Sequence, residues 1–271
     1  MTVVVFGSFG LIMGSFLNVV ILRYGERGIS GRSACVSCNQ TLRWFDLIPV
    51  ASWIVLRGRC RYCKKSISFQ YPMVEVATGL LFVTIGSTGL PLLAVLIALS
   101  IAALLVCMFV YDLRHTIIPD RWAYPFSMLA LTLSFLMRGP DDSLIILALS
   151  GPAAALPLFS LWALSRGQWM GFGDVKLALG MGWLLGFPFG VLAVLLGFVI
   201  GAIVSVGVLL PLPVYVRALA RFTQHHSWRA SGAGFTMTSE VPFGPFLIAS
   251  TFIIWFALMY HVPIPIFSLY G

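Results

Sequence analysis

Long apolar segments separated by short polar ones run through almost the whole chain. They fall at residues 2–22, 73–88, 91–111, 122–137, 143–164, 175–187, 189–215 and 242–261. Most approach the ~20 residues that an α-helix needs to cross a bilayer. They lack the alternation of a membrane β-strand, and lipid cannot satisfy an open backbone edge. The pattern predicts an all-α polytopic membrane protein with about eight transmembrane helices. The segment 175–187 departs from it, with about 13 residues, or roughly 20 Å of helix, against a hydrocarbon core of ~30 Å. A helix that short, opening at Asp174, predicts a loop recessed below the membrane surface. Residues 189–215 are long enough to tilt.

Composition agrees: of 271 residues, 59% are hydrophobic and only 10% charged, well below the ~25% charged residues of soluble domains. The net charge of +8 would suit nucleic acid, but topology explains it better. Threading the eight segments back and forth gathers loops 23–72, 112–121, 165–174 and 216–241 on one side. With Lys176 at its boundary, that side carries nine, two, two and three Lys/Arg residues, leaving only Arg138 opposite. The positive-inside rule makes the basic side cytoplasmic and both termini external. The first segment reads as a signal anchor: it lacks a basic n-region and is followed by Arg23, Arg27 and Arg32. This implies a multi-pass membrane protein with its basic loops in the cytoplasm, with lipid as a partner and no nucleic acid. Its predicted divisions are a first helix (1–22), a cytoplasmic module (23–72) and a transmembrane domain (73–271).

The module contains "CVSC" (Cys35, Cys38) and "CRYC" (Cys60, Cys63), with 21 residues between Cys38 and Cys60. Paired C-x2-C knuckles at this separation predict a tetrathiolate zinc site. Two disulfides are the alternative, disfavoured in a reducing cytoplasm. Four thiolates on Zn2+ leave two negative charges, which Arg57, Arg59, Arg61, Lys64 and Lys65 can offset. Trp44, Phe45, Trp53 and Tyr71 suit an interfacial belt. Residues 47–56 are too short to span; they pack on the metal module or lie at the membrane surface. Cys107 stands alone in an apolar segment and reads as packing.

The chain has nine acidic residues. Asp141 and Asp142 occupy an outer loop, and Glu26 and Asp46 the polar module. Glu75, Asp112, Asp120, Asp174 and Glu240 lie near segment ends. Asp112 closes one segment and Asp174 opens another, both toward the cytoplasm. A carboxylate at membrane depth is costly and marks a functional candidate. Gly171 and Gly173 permit close backbone approach beside Asp174. The bland alternatives are a helix cap at Asp174 and an interfacial pair of Asp112 with Arg114. Two such acids brought together would suit aspartyl proteolysis, in which one carboxylate is ionised and its neighbour protonated.

Together these residues resemble the bacterial type IV prepilin peptidases. The resemblance runs over nearly the whole length. It rests on "GSFLNVVILR" (14–23), the two knuckles, "LRGRC" (56–60), "YPMVE" (71–75), D-x6-PD (112–120), "GFGDVK" (171–176) and "PFGPFL" (242–247). It implies a GxGD aspartyl endopeptidase that cuts prepilins and pseudopilins after a glycine at the cytoplasmic face. The family's catalytic pair maps onto Asp112 and Asp174, with Asp120 supporting. The four cysteines imply the bifunctional form, which methylates the new N-terminus from S-adenosylmethionine; a peptidase without methyltransferase activity is the alternative.

Glu75 and Glu240 could orient the amine or the methyl donor, but pairing of each with a nearby arginine is the favoured reading. Lys176 is either an interfacial cation or a tuner of the pair's charge. Ser15 and Asn18 are expected to hydrogen-bond between helices, with Gly14 permitting close packing. His115 is expected to be solvated. Two other function classes compete. A zinc-dependent binding module on a membrane anchor would leave Asp112 and Asp174 unexplained. A transporter would use the buried acids for protons or cations, but the chain lacks a convincing repeat.

Overall fold

In the computed structural model, residues 1–25, 31–140, 143–209 and 242–263 are described. Among the described residues, nine α-helices carry the fold: α1 (Thr2–Arg23), α2 (Ala51–Val55), α3 (Gln70–Gly86), α4 (Leu92–His115), α5 (Asp120–Met137), α6 (Leu144–Ser165), α7 (Phe172–Leu185), α8 (Phe189–Val204) and α9 (Gly244–Met259). A 3-10 turn at Trp44–Leu47 precedes α2, and a π-turn at Ser205–Leu209 follows α8. No strand occurs among the described residues, only two isolated bridges in the cysteine module. Each predicted apolar segment overlaps a helix, 189–215 over its described part, residues 189–209. Four helical stretches are long and apolar enough to cross a bilayer: Thr2–Arg23, Leu92–His115, Leu144–Ser165 and Phe189–Gly207. The others are shorter or more polar. Glu240, the acids Glu26, Asp141 and Asp142, and the predicted loop 216–241 lie outside the described residues.

Two helices occupy the interior. On α4, Ala98, Ile101, Ala102, Leu105 and Met108 are completely buried, where α1, α3, α5 and α9 surround them. On α7, nine of the fourteen residues are buried, under α5, α6, α8 and α9. Protein rather than lipid encloses most of α7, so its length, about 21 Å at 1.5 Å per residue, need not match the hydrocarbon core. α9 touches both inner helices and thereby closes the space between their ends. The thiol of Cys107 is packed in the core of α4.

Close packing ties α1 to α3. A Cβ at Gly14 would stand 2.6 Å from Glu75 Cα, and Asn18 Nδ2 donates to the Tyr71 carbonyl at 3.2 Å. Small and polar residues serve this purpose where lipid supplies no hydrophobic drive for helix association.

Candidate active site

Asp112 lies in the last turn of α4. That helix ends where Thr116 turns left-handed, at φ 53°, and returns its N–H to the Asp112 carbonyl at 2.8 Å. The chain then buries Ile118 and Pro119, and Pro119 leads into α5. The six residues between Asp112 and Pro119 therefore make one tight reversal, with Ile118 as its inward plug. Asp112 is 4% exposed, and its Oδ2 has no hydrogen-bond partner among the described residues. An unsatisfied buried carboxylate oxygen is expensive, which singles this one out.

Asp174 is the third residue of α7. Gly171 occupies the N-cap and no side chain caps the helix, so the cap reading of Asp174 does not hold. The carboxylate is 9% exposed and interacts electrostatically with Asp112. The first turn of a helix favours a negative charge. Asp112 has a similar setting in space: its Oδ2 lies against Gly244, the first residue of α9, where a Cβ would come within 2.6 Å. Two helix N-termini thus converge on the two acids.

Ile118 packs this convergence. A Cβ on Gly173 would stand 3.1 Å from Ile118 Cβ, and one on Gly244 would stand 3.0 Å from Ile118 Cδ1. Gly171 is different: its nearest neighbour would be the Gly173 nitrogen at 3.9 Å. Glycine is required by crowding at 173 and 244, and not at 171. Residues 244 and 118 carried no role in the sequence analysis; the only signal was the position of Gly244 within "PFGPFL".

The alternative reading, a pair of Asp112 with Arg114, finds no such pair among the described residues. Arg114 points outward and its Nε donates to Gln70 Oε1 at 2.7 Å. Asp120, at the start of α5, takes Lys176 instead, with Nζ 2.6 Å from Oδ1. Lys176 also lies over the rings of Tyr124 and Phe172, at 5.3 and 5.2 Å. It bolts α7 to α5 two residues from Asp174. His115 is exposed and stacks on Tyr111 at 4.3 Å. Glu75 is buried and accepts the Val50 backbone N–H at 2.7 Å, with no arginine partner among the described residues.

The four cysteines form a separate centre. Their sulfurs lie within 4.8 Å of one another, with Cys35 and Cys63 3.9 Å apart. Zn–S bonds of ~2.3 Å in a tetrahedron require sulfurs about 3.8 Å apart, so the donor set fits a metal. A disulfide needs an S–S distance of ~2.05 Å, and all four thiols are free. The knuckles are copies in backbone terms. Cys35 and Cys60 each donate their N–H to the carbonyl five residues on, Gln40 and Lys65, at 3.0 and 2.8 Å. Each accepts from the residue four on, Asn39 and Lys64, and both of those have positive φ. The bridges Ala34–Thr41 and Arg59–Ser66 complete the match. Of the cations expected to offset the thiolates, Arg61 binds Asp46 at 2.7 Å.

A multi-pass helical membrane protein with two buried, electrostatically interacting carboxylates and a four-thiol cluster is the class so defined. Residues 8–88 match the family model described as the Bacterial Peptidase A24 N-terminal domain. Residues 98–206 match that of the Type IV leader peptidase family. The chain is 32% identical to the prepilin leader peptidase/N-methyltransferase of Aeromonas hydrophila, over 93% of this chain and 88% of that one. It is 35% identical to that of Pectobacterium carotovorum subsp. carotovorum, over 67% and 74% of the two chains. No solved structure matches it. The chain belongs to the prepilin leader peptidase/N-methyltransferase family.

Proposed function

We propose that the protein removes the leader peptide from type IV prepilins and type II secretion pseudopilins and then methylates the new N-terminus. The reading places it in the bacterial inner membrane with eight spans and its site at the cytoplasmic face. Residues 1–22 form the first span, 23–72 the metal module and 73–271 the peptidase domain. The observation that carries the peptidase half is the pair of buried carboxylates, Asp112 and Asp174, in electrostatic contact where α4, α7 and α9 meet.

Asp112 and Asp174 act as a dyad. Two close carboxylates resist double ionisation and share a proton. The ionised member takes a proton from the attacking water, and the protonated member polarises the scissile carbonyl. The tetrahedral intermediate collapses when the leaving amide nitrogen gains a proton. Gly173 and Ile118 set the approach of the two helices. Gly171, Lys176 and Asp120 hold the GxGD turn. Glu75 and Glu240 support the methyl-transfer side.

Zinc on Cys35, Cys38, Cys60 and Cys63 is structural, because four thiolates leave no open coordination position. S-adenosylmethionine supplies the methyl group. Mass spectrometry of a co-expressed prepilin tests both halves together. The expected product has lost its leader and gained 14 Da, the arithmetic mass of one CH2 on the new amine, to about the precision of such spectra. An uncut prepilin would refute the peptidase reading, and a cut, unmethylated product would leave a peptidase alone.

A further inference from the structure

The chain between the knuckles does something that metal binding does not require. At Pro49–Val50–Ala51 it makes a γ-turn: Val50 has φ 59° and ψ −50°, and the Ala51 N–H reaches the Pro49 carbonyl at 2.5 Å. This positive-φ form is rare and strained, and a β-branched residue is the least suited to it. Backbone strain persists only where surrounding structure imposes it. Here the imposing group is Glu75, whose buried carboxylate accepts the Val50 N–H at 2.7 Å.

Glu75 fixes the depth of that turn. The polar edge of the helices is marked by Gln70, the first residue of α3, bonded to Arg114 on the last turn of α4. Glu75 lies five residues further along α3, about 7.5 Å inward at 1.5 Å per residue. Amphipathic segments seated in a bilayer interface lie ~5–10 Å into the headgroup and acyl boundary. Residues 47–55 therefore dip alongside α3 to the depth of an interfacial segment.

Their side chains fit that place. Leu47 and Ile48 are exposed, Ile54 and Val55 more so, at 61% and 75%. Phe69, just before α3, and Met73 and Val76 on it are exposed as well. Trp53, in contrast, turns inward: its Nε1 donates to the Ile67 carbonyl at 3.3 Å and its ring covers Gly58. The apolar exposure thus belongs to one side of the segment. Arg43, Arg57, Arg59, Lys64 and Lys65 flank it, whereas Asp46, the one acid in residues 31–72, is held by Arg61. Apolar residues at interfacial depth, rimmed by excess cations, complement an anionic lipid surface.

We propose that residues 47–55 form a wedge seated in the interfacial layer of the bilayer, among anionic phospholipid headgroups and upper acyl chains. The wedge anchors the cysteine module beside the membrane face on which α4 ends. It rests on the multi-pass reading but not on the catalytic assignment, so a failed peptidase assay leaves it standing.

The test places a genetically encoded environment-sensitive fluorescent residue at Val55, Val36 or Leu80 of the full chain. The protein is held in nanodiscs of phosphatidylethanolamine and phosphatidylglycerol, with spin-labelled lipid quenching either near the headgroup or at the bilayer centre. Position 55 is expected to be quenched at least about threefold more by the shallow label than by the deep one, as an interfacial depth requires. Position 80, on the exposed face of α3, should favour the deep label, and position 36, on the first knuckle, should respond to neither. Omitting the phosphatidylglycerol should roughly halve the shallow quenching at 55, as an anionic surface field requires. Water-like emission at 55, matching position 36, would overturn the wedge. So would a signal that depends on protein concentration and not on the labelled lipids, which would put a second copy on this face. Quenching unaffected by headgroup charge would overturn the anionic specificity.

Discussion

In the cysteine module all four ligands lie between residues 35 and 63, and each knuckle repeats the same short-range backbone contacts. The carboxylates stand at residues 112 and 174, on helices that meet through two others, α5 and α9. The module takes its shape from local turns that bring four thiols together. The acid pair takes its shape from packing: Ile118 against Gly173, Gly244 against Asp112, and Lys176 across to Asp120. The first region is tolerant of its surroundings and intolerant of losing a ligand. The second is intolerant of one added methyl group in the wrong place.

The largest expected effect that separates the two comes from a Cys35→Ser/Cys60→Ser variant. Structural zinc contributes ~10–16 kcal/mol to small modules, so metal and module should be lost together. Methylation is expected to suffer at least as much as cleavage. Metal analysis alongside both assays checks this, and full methylation by metal-free protein would contradict it.

Gly244→Ala is the counterpart in the second region. Its Cβ would lie 2.6 Å from Asp112 Oδ2, so the carboxylate or α9 must move. Displacements of about 1 Å can cost ~100-fold in rate. A fall of that order in kcat for cleavage is expected, with zinc content unchanged. Near-normal kcat would show that α9 does not set the position of Asp112.

A smaller effect should separate the two glycines of the GxGD turn. Gly173→Ala overpacks Ile118 and should destabilise by ~1–3 kcal/mol. Gly171→Ala has room and should cost about 1 kcal/mol or less, the loss of a favourable cap residue. Thermal melting in detergent distinguishes them, and equal losses would remove Ile118 from the account. Smallest of all is Lys176→Met. An ion pair as exposed as Asp120 makes it is worth ~1 kcal/mol or less. Only a modest loss of melting temperature is expected, and a collapse of cleavage with an intact fold would give Lys176 a direct part in the dyad.

The same contrast explains what could be read from residue order alone. Spacing points straight to the four-thiol cluster, because both cysteine pairs are local. The helices were legible as apolar runs, although α3 begins at Gln70 and α7 at Phe172, so Glu75 lies inside a helix and Asp174 in the first turn of one rather than at its cap. Partners across the bundle were not legible. Arg114 is two residues from Asp112 yet faces Gln70. Lys176 is two from Asp174 yet reaches Asp120. Neighbours two apart on a helix point to different faces, and only tertiary packing says which face meets what. The Val50 turn and the inward use of Glu75 were hidden for the same reason.

The central claim is that Asp112 and Asp174 form one catalytic unit. The most direct measurement is prepilin cleavage by purified, zinc-loaded Asp112→Asn, Asp174→Asn and double variants, with methylation of an already cleaved pilin as the control for folding. Members of one unit are grossly non-additive. Each single variant should abolish cleavage, the double should be no worse, and methylation should persist. Cleavage surviving in a folded Asp174→Asn variant would contradict the account.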